Sequence, residues 1–141
     1  MTNTPNTLNA QQRLKRKKLF DEVFATGKSL RTPILSAVYK ETALPDNVHL
    51  QAAFSASKRK FKKAVDRNKL KRLMREAYRT QRTPLENVLK THNKQLAVVF
   101  VFTFTQIPAF AEVKQDINIL LQKLEKQMAT DDVIKNGNQN K

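Results

Sequence analysis

The stretch LAVVFVFTF, residues 96–104, decides the fold of this chain. It is apolar at both alternating sets of positions and rich in Val and Phe, so a strand formed by it would have two apolar sides. Such a strand has to be covered on both faces. We therefore predict a buried strand at the centre of a sheet.

Helices are predicted on either side of this strand along the chain. After it, apolar residues recur at helical spacing over residues 110–128. Before it, a long helix runs from residue 64 to about residue 82, where Pro84 forces a stop or a restart. A shorter helix over residues 85–92 follows.

Nearer the N-terminus, the pattern predicts one short helix and two strands. The helix covers residues 18–26, where apolar side chains cluster on one side and Gly27 supplies a stop. The strands cover residues 34–41 and 48–54. Because turn-forming residues 45–47 separate them, we predict that these two strands pair as a hairpin.

These elements predict a small two-layer α/β sandwich of order α-β-β-α-β-α, with a single sheet of at least three strands. A chain of 141 residues with 40% apolar content suits one domain, which we assign to residues 13–128. Residues 1–12 are rich in Asn, Thr and Gln, and residues 129–141 end in the polar run NGNQNK. Both ends are predicted to be disordered tails.

Composition excludes several classes of protein. The absence of cysteine removes disulfides, thiolate zinc sites and thiol nucleophiles, and it suits a reducing cytosol. No apolar run approaches the roughly 20 residues of a membrane helix, and the polar opening lacks the apolar stretch of a secretory signal. We therefore expect a soluble cytoplasmic protein with no membrane partner.

The net charge predicts a polyanionic partner. The chain has 27 Lys and Arg against 12 Asp and Glu, which gives a net charge of +15 and a pI near 10.3. The excess is concentrated in residues 58–82, where the only acids are Asp66 and Glu76. A basic surface that served solubility alone would be spread more evenly.

The long helix carries most of this charge on one face. At 100° per residue, seven polar residues fall within an arc of about 140°: Arg67, Asn68, Lys71, Arg72, Arg75, Arg79 and Arg82. The apolar residues Leu70, Leu73, Met74 and Ala77 lie on the other side, which predicts packing on a sheet. An ordinary solvated face is the alternative interpretation. Such faces mix both signs of charge, and arginine grips phosphate bidentately, so we favour nucleic-acid binding.

The stretch KKAVDRNKLKRLMREAYR, residues 62–79, resembles the signature of the bacterial ribonuclease P protein component, an R-N-R core followed by K-R and R-E. The matching positions are Arg67, Asn68, Lys71, Arg72, Arg75 and Glu76. The stretch RLKRKKLFDEVFATGKS, residues 13–29, is similar to that family's first segment. Two residues depart from the pattern: Lys69 replaces the second Arg of the core, and Lys62 stands where many members carry Gly.

The resemblance implies a fold and a division of labour. The fold would be an α/β sandwich with a left-handed βαβ crossover, an exception to the usual handedness. The RNA subunit would remove the 5′ leader of precursor tRNA with Mg²⁺ that is held mainly by RNA. The protein would bind the catalytic RNA through Arg67, Asn68, Lys71, Arg72, Arg75 and Arg79. It would bind the leader through Arg13, Lys17, Phe20, Phe24 and Tyr39.

Phe20 and Phe24 have two interpretations from the residues alone. They project from one side of the first helix beside the cations of residues 13–18, an arrangement that holds unpaired nucleotides in other proteins. Their spacing equally suits two core anchors, and spacing by itself favours the core. The resemblance favours the leader.

No catalytic constellation is predicted, so we expect no activity from the protein alone. His49 and His92 lack partners at metal-ligand spacing, and Gly27 and Gly137 cannot form a phosphate-binding loop. The leading alternative function is a ribosomal or ribosome-associated RNA-binding protein. A DNA-binding architectural protein is a further alternative.

Overall fold

A four-stranded sheet and four helices form the part of the chain that this computed structural model describes, residues 17–45 and 47–137. In chain order the elements are α1 (Lys17–Thr26), β1 (Lys28–Arg31), β2 (Leu35–Glu41), β3 (Leu50–Ala56), α2 (Ala64–Arg79), α3 (Thr83–Thr91), β4 (Leu96–Phe102) and α4 (Phe110–Gly137). The predicted α/β class is confirmed. β1 was not predicted, and the predicted tail at residues 1–12 lies outside the described residues.

β4 occupies the interior of the sheet, as its apolar sequence predicts. The strand order is β1-β2-β4-β3. β4 is antiparallel to β2 and parallel to β3, and Leu96 pairs with Glu41 on one side and with Leu50 on the other. All residues of β4 except Val101 are buried. Because both apolar faces of β4 are covered and both of its edges are paired, the most apolar segment of the chain is removed from water.

The predicted hairpin between β2 and β3 is wrong, because β4 lies between these two strands. β2 instead forms a hairpin with β1, in which Lys28 pairs with Tyr39. The chain between β2 and β3 crosses the beginning of β4, where the Gln95 side chain holds it. The Gln95 amide accepts a hydrogen bond from the Leu44 N–H at 3.0 Å and donates one to the Val48 carbonyl at 2.7 Å. The Val48 N–H donates a hydrogen bond to the Pro45 carbonyl at 3.0 Å, but the chain leads from here into a crossing and not a tight hairpin.

The two faces of the sheet are covered by different helices. Leu96, Val98, Phe100 and Phe102 of β4 face α2, α3 and α4 in the larger core. The alternating residues Ala97 and Val99 face α1 in a smaller core, with Leu19 and Val23. The predicted sandwich is therefore present, and α1 adds partial cover on the second face. This arrangement follows from the period of two along a strand.

Two predicted boundaries are corrected. α2 ends at Arg79, and Arg82 lies just before α3 with only 3% of its surface exposed, its Nε atom 3.5 Å from the Glu86 carboxylate. Arg82 is therefore not on the cationic face. At the other end of the chain, α4 continues to Gly137. The last helix therefore extends beyond its predicted end at residue 128.

Candidate RNA-binding surfaces

α2 is attached to the sheet through one side. Leu70, Met74, Ala77 and Tyr78 are buried, whereas Leu73 is only half-buried. Because Tyr78 is buried, the buried side of α2 extends further toward the cations than the sequence pattern predicted. The bulky ring packs between Phe54 and Phe100, with centroid distances of 5.6 Å to each. Burying this large ring stabilises the fold more than placing the cations directly opposite the core would.

The predicted RNA-binding residues of α2 therefore form two rows. Asn68 and Arg72 form the exposed row. The members of the second row are half-buried: Arg67, Lys71, Arg75 and Arg79. We call the two rows together the α2 cationic face. The structure brings all six predicted residues to one side of one helix, as the sequence indicated.

Arg67 also has a structural role. Its Nη1 atom donates hydrogen bonds to the carbonyls of Phe61 and Lys62, at 2.7 and 2.9 Å. Phe61 is buried against Phe102, with ring centroids 5.8 Å apart. Arg67 thus fixes the chain that enters α2, including Lys62.

Arg75 and Arg79 are held by neighbours on the protein. The guanidinium carbon of Arg75 lies 5.8 Å from the centroid of the Phe54 ring, a cation–π contact. Arg79 donates two hydrogen bonds to Glu76, at 3.0 and 2.8 Å. The hydrogen bond from Arg79 lowers the pKa of Glu76, and the same bond raises the pKa of Arg79. Both guanidinium groups are therefore oriented before any ligand arrives.

The positive surface continues from α2 into the loop before it. Lys58, Arg59, Lys60, Lys62 and Lys63 are all exposed, and no acid occurs among residues 57–65. Lys69 is exposed as well. The Ser57 hydroxyl accepts hydrogen bonds from the backbone N–H groups of Arg59 and Lys60, which fixes a turn at the end of β3. We call residues 58–63 the basic loop.

A second surface contains the two phenylalanines of α1. Their ring centroids lie 5.0 Å apart with the planes tilted by 48°. Phe20 is half-buried and packs on the smaller core, whereas 43% of Phe24 is exposed. The anchors of the helix are instead Leu19 and Val23, both buried. The core interpretation therefore holds only in part, because Phe20 packs on the core and Phe24 does not, and the leader interpretation stays a prediction.

The sheet beside α1 supplies an apolar floor. Val38, Ala53 and Val101 are partly buried on this face and pack, like Phe20, against the smaller core. They come from the strands β2, β3 and β4, respectively. Val38 and Ala53 both pair with Val99 of β4, which lies between their strands. We call this region, from α1 across the three strands, the α1 cleft. Lys17, a predicted leader contact, lies at the start of α1 and is exposed, with its Nζ atom 3.1 Å from Asp21.

Two features fix the position of α1. Gly27 ends the helix, and a Cβ atom at this position would lie 2.4 Å from the Val23 carbonyl oxygen and 2.7 Å from the Tyr39 carbonyl oxygen. Only glycine permits this close approach. Lys40 of β2 donates hydrogen bonds to Glu22 at 2.6 Å and to the Thr26 hydroxyl at 2.8 Å. The prediction of site residues missed Lys40, although its alternation with Ser36 and Val38 places all three on one face.

Tyr39 does not lie in the α1 cleft, and its role in leader binding stays a prediction. It is 5% exposed and lies in the larger core, on the opposite face of the sheet. A strand reverses its side chains at every residue, so Val38 and Lys40 face α1 instead. Arg13, the remaining predicted leader contact, lies outside the described residues.

Neither a metal site nor a membrane span is found in the part of the chain that the structure describes. Within residues 17–45 and 47–137, no group of three or more His, Cys, Asp and Glu side chains could hold a metal ion. None of the helices in these ranges is both long and apolar enough to cross a membrane.

Comparison with known proteins identifies one family. The family model described as Ribonuclease P matches residues 8–125. The ribonuclease P protein component of Chlorobium phaeobacteroides is 30% identical over 129 residues, covering 84% of this chain and 88% of the relative. The protein of the same name from Porphyromonas gingivalis is 30% identical over 116 residues, covering 82% and 85%. No comparison supports a ribosomal or DNA-binding protein.

Solved structures show the same fold. The RNase P protein from Thermotoga maritima aligns with a TM-score of 0.62 at 22% identity, covering 79% of this chain and 96% of that one. The RNase P protein of Staphylococcus aureus aligns with a TM-score of 0.59 at 19% identity, covering 79% and 94%. The overall fold is thus shared with these proteins.

Proposed function

Because the chain belongs to the bacterial ribonuclease P protein family, we propose that it binds the RNA subunit through the α2 cationic face and the 5′ leader of precursor tRNA through the α1 cleft. The family supplies the protein component of an RNA-based, metal-dependent enzyme that processes tRNA. The residues that perform the binding, and precursor tRNA as the substrate, are our assignment. We place this activity in the cytoplasm.

The α2 cationic face is the main support for the proposed binding of the RNA subunit. Its two rows present four arginines and a lysine on one side of a helix, and the basic loop extends the same charge. Like charges at i,i+4, such as Arg67 with Lys71 and Lys71 with Arg75, repel one another in the free protein. RNA phosphates would relieve that repulsion and release counterions, which favours binding. The contacts of Arg75 with Phe54 and of Arg79 with Glu76 reduce the side-chain entropy lost on binding.

The α1 cleft carries the proposal for the leader. A single-stranded segment offers unpaired bases, and the exposed ring of Phe24 offers a surface on which a base can stack. Val38, Ala53 and Val101 add apolar contact area beside the rings. Mature tRNA lacks the leader, so this surface would distinguish substrate from product.

Mg²⁺ would be held mainly by the RNA. The described residues contain no cluster of acidic or histidine side chains that fits a hydrated divalent cation. The protein would act indirectly, because its cations neutralise phosphates that otherwise repel one another around the metal sites. No step of the cleavage is assigned to a protein side chain.

The test is a cleavage assay with the cognate RNA subunit and a precursor tRNA. The protein alone should give no cleavage at any Mg²⁺ concentration, and adding it to the RNA should lower the Mg²⁺ concentration required. Coincident Mg²⁺ titrations with and without protein would contradict the proposal. Robust cleavage by RNA-free protein would contradict the division of labour.

A further inference from the structure

Core packing does not explain the presence of an aromatic residue at Phe104. The apolar run predicts a strand through residue 104, yet β4 ends at Phe102. Phe100 and Phe102 are fully buried under the helices, whereas 39% of Phe104 is exposed. The backbone N–H of Thr103 still bonds to the Ile34 carbonyl at 2.9 Å, so the chain is held at the sheet immediately before Phe104.

The basic loop lies at this end of the sheet. Ala56, the last residue of β3, pairs with Phe102, the last residue of β4. The loop that follows β3 is tied to the chain that follows β4, because Lys60 Nζ donates a hydrogen bond to the Thr103 carbonyl at 2.6 Å. Phe61 packs against Phe102 from the same loop. Phe104, whose ring is exposed, thus directly follows Thr103, the residue that the basic loop contacts.

We propose that Phe104 and the basic loop form a further RNA contact, in which an unpaired base stacks on the Phe104 ring while the loop cations bind the adjoining phosphates. Five cations without an acid in residues 58–63 are complementary to a polyanion and disfavour a basic partner, including a second copy of this chain. An exposed aromatic ring beside cations is the arrangement that holds single-stranded nucleic acid. This inference rests on the proposed function, since it assumes the RNA subunit as ligand.

The first experiment measures the affinity of the full chain for a transcript of the RNA subunit from the same bacterium. Phe104→Ala should weaken binding roughly 5- to 150-fold, the equivalent of about 1–3 kcal/mol for one stacked base. Phe104→Tyr should retain affinity because its ring can stack. Ile107→Ala is the matched control, since Ile107 is exposed to a similar degree but has no ring. All variants should melt at the wild-type temperature.

A second experiment reports stacking directly. The chain contains no tryptophan, so Phe104→Trp introduces a single indole fluorophore. Its fluorescence should be quenched when the RNA subunit is added, whereas the fluorescence of Ile107→Trp should change little. Equal quenching in both variants would overturn the stacking contact.

The outcomes separate this inference from the proposed function. Tight binding by the wild-type chain with unchanged affinity in Phe104→Ala would overturn the contact at Phe104 and leave the proposed function intact. No binding by the wild-type chain would overturn the proposed function itself. A variant that changes self-association but not RNA affinity would assign Phe104 to a protein interface and overturn the inference.

Discussion

Lys40 Nζ lies 2.6 Å from the Glu22 carboxylate, and this ion pair joins the middle of the sheet to α1. The two residues belong to different elements, and the same ammonium also contacts the Thr26 hydroxyl at the end of the helix. The side chains remain partly exposed, at 29% for Lys40 and 44% for Glu22. Lys40 therefore helps to position the α1 phenylalanines over the sheet through its bonds to two other residues of the same helix.

Replacing Lys40 by methionine should loosen α1 without unfolding the protein. An exposed ion pair contributes little to stability, so the melting temperature should fall only slightly. Amide hydrogen exchange over Lys17–Thr26 should become faster, and affinity for precursor tRNA should fall more than affinity for mature tRNA. Lys126→Met on the exposed side of α4 is the control. Unchanged exchange in α1 would show that the pair does not position the helix.

Acid should weaken the same attachment. The hydrogen bond and positive charge of Lys40 lower the pKa of Glu22. A carboxyl whose pKa is lower in the folded state stabilises that state above its ordinary pKa of about 4.3, and this contribution is lost as the pH falls through the lowered value. NMR spectra of the α1 amides between pH 6 and about pH 2.5 would follow the loss. Lys40→Met should lack this component, and identical titrations in both proteins would refute the linkage.

Phe24→Ala should affect binding, whereas Phe20→Ala should affect both binding and stability. Phe24 is 43% exposed, so its truncation should cost about 1–3 kcal/mol in precursor tRNA affinity and leave the melting temperature nearly unchanged. Phe20 packs on the smaller core, so its truncation should also lower the free energy of unfolding. Thermal unfolding and paired affinities for precursor and mature tRNA separate the two effects. Equal losses for both tRNAs in Phe24→Ala would exclude a leader contact.

Arg72→Ala should give the cleanest test of the α2 cationic face. Arg72 is exposed and should lose one phosphate contact, which reduces the slope of log affinity against log salt by about 0.7–0.9. Arg67→Ala should lose the same contact and also lower the melting temperature, because the carbonyls of Phe61 and Lys62 lose their donor. Lys90→Ala, exposed on α3, should match wild type in both measurements. A slope for Arg72→Ala equal to that of Lys90→Ala would remove Arg72 from the interface.

Gly27→Ala should displace α1. The added methyl group would approach the carbonyl oxygens of Val23 and Tyr39 to 2.4 and 2.7 Å, and neither backbone oxygen can rotate away. We expect a destabilisation of about 1–3 kcal/mol, as for other overpacked sites, together with weaker binding of precursor tRNA. Ser29→Ala in β1 controls for a substitution in the same exposed segment. A wild-type melting temperature for Gly27→Ala would mean that the close approach is not maintained in solution.

The sequence by itself determined the elements and the main interface. Residues 96–104 are apolar on both alternations, and this property placed β4 inside the sheet before any contact was known. The spacing of Leu70, Met74 and Ala77 likewise determined that the α2 cations gather on one side. Both inferences hold because a helix and a strand have fixed periods, so a local pattern states which side chains share a face.

Only the tertiary structure decided which elements meet. The turn-forming sequence of residues 45–47 suits both a hairpin and a crossing. The choice depended on β4, which is remote in sequence and pairs with both β2 and β3. The same long-range packing buried Tyr39 and Arg82, left Phe24 and Phe104 exposed, and brought Lys40 to Glu22. Periodicity assigns a side chain to a face of its own element. What covers that face is decided by segments far along the chain, because burial is a property of the assembled core.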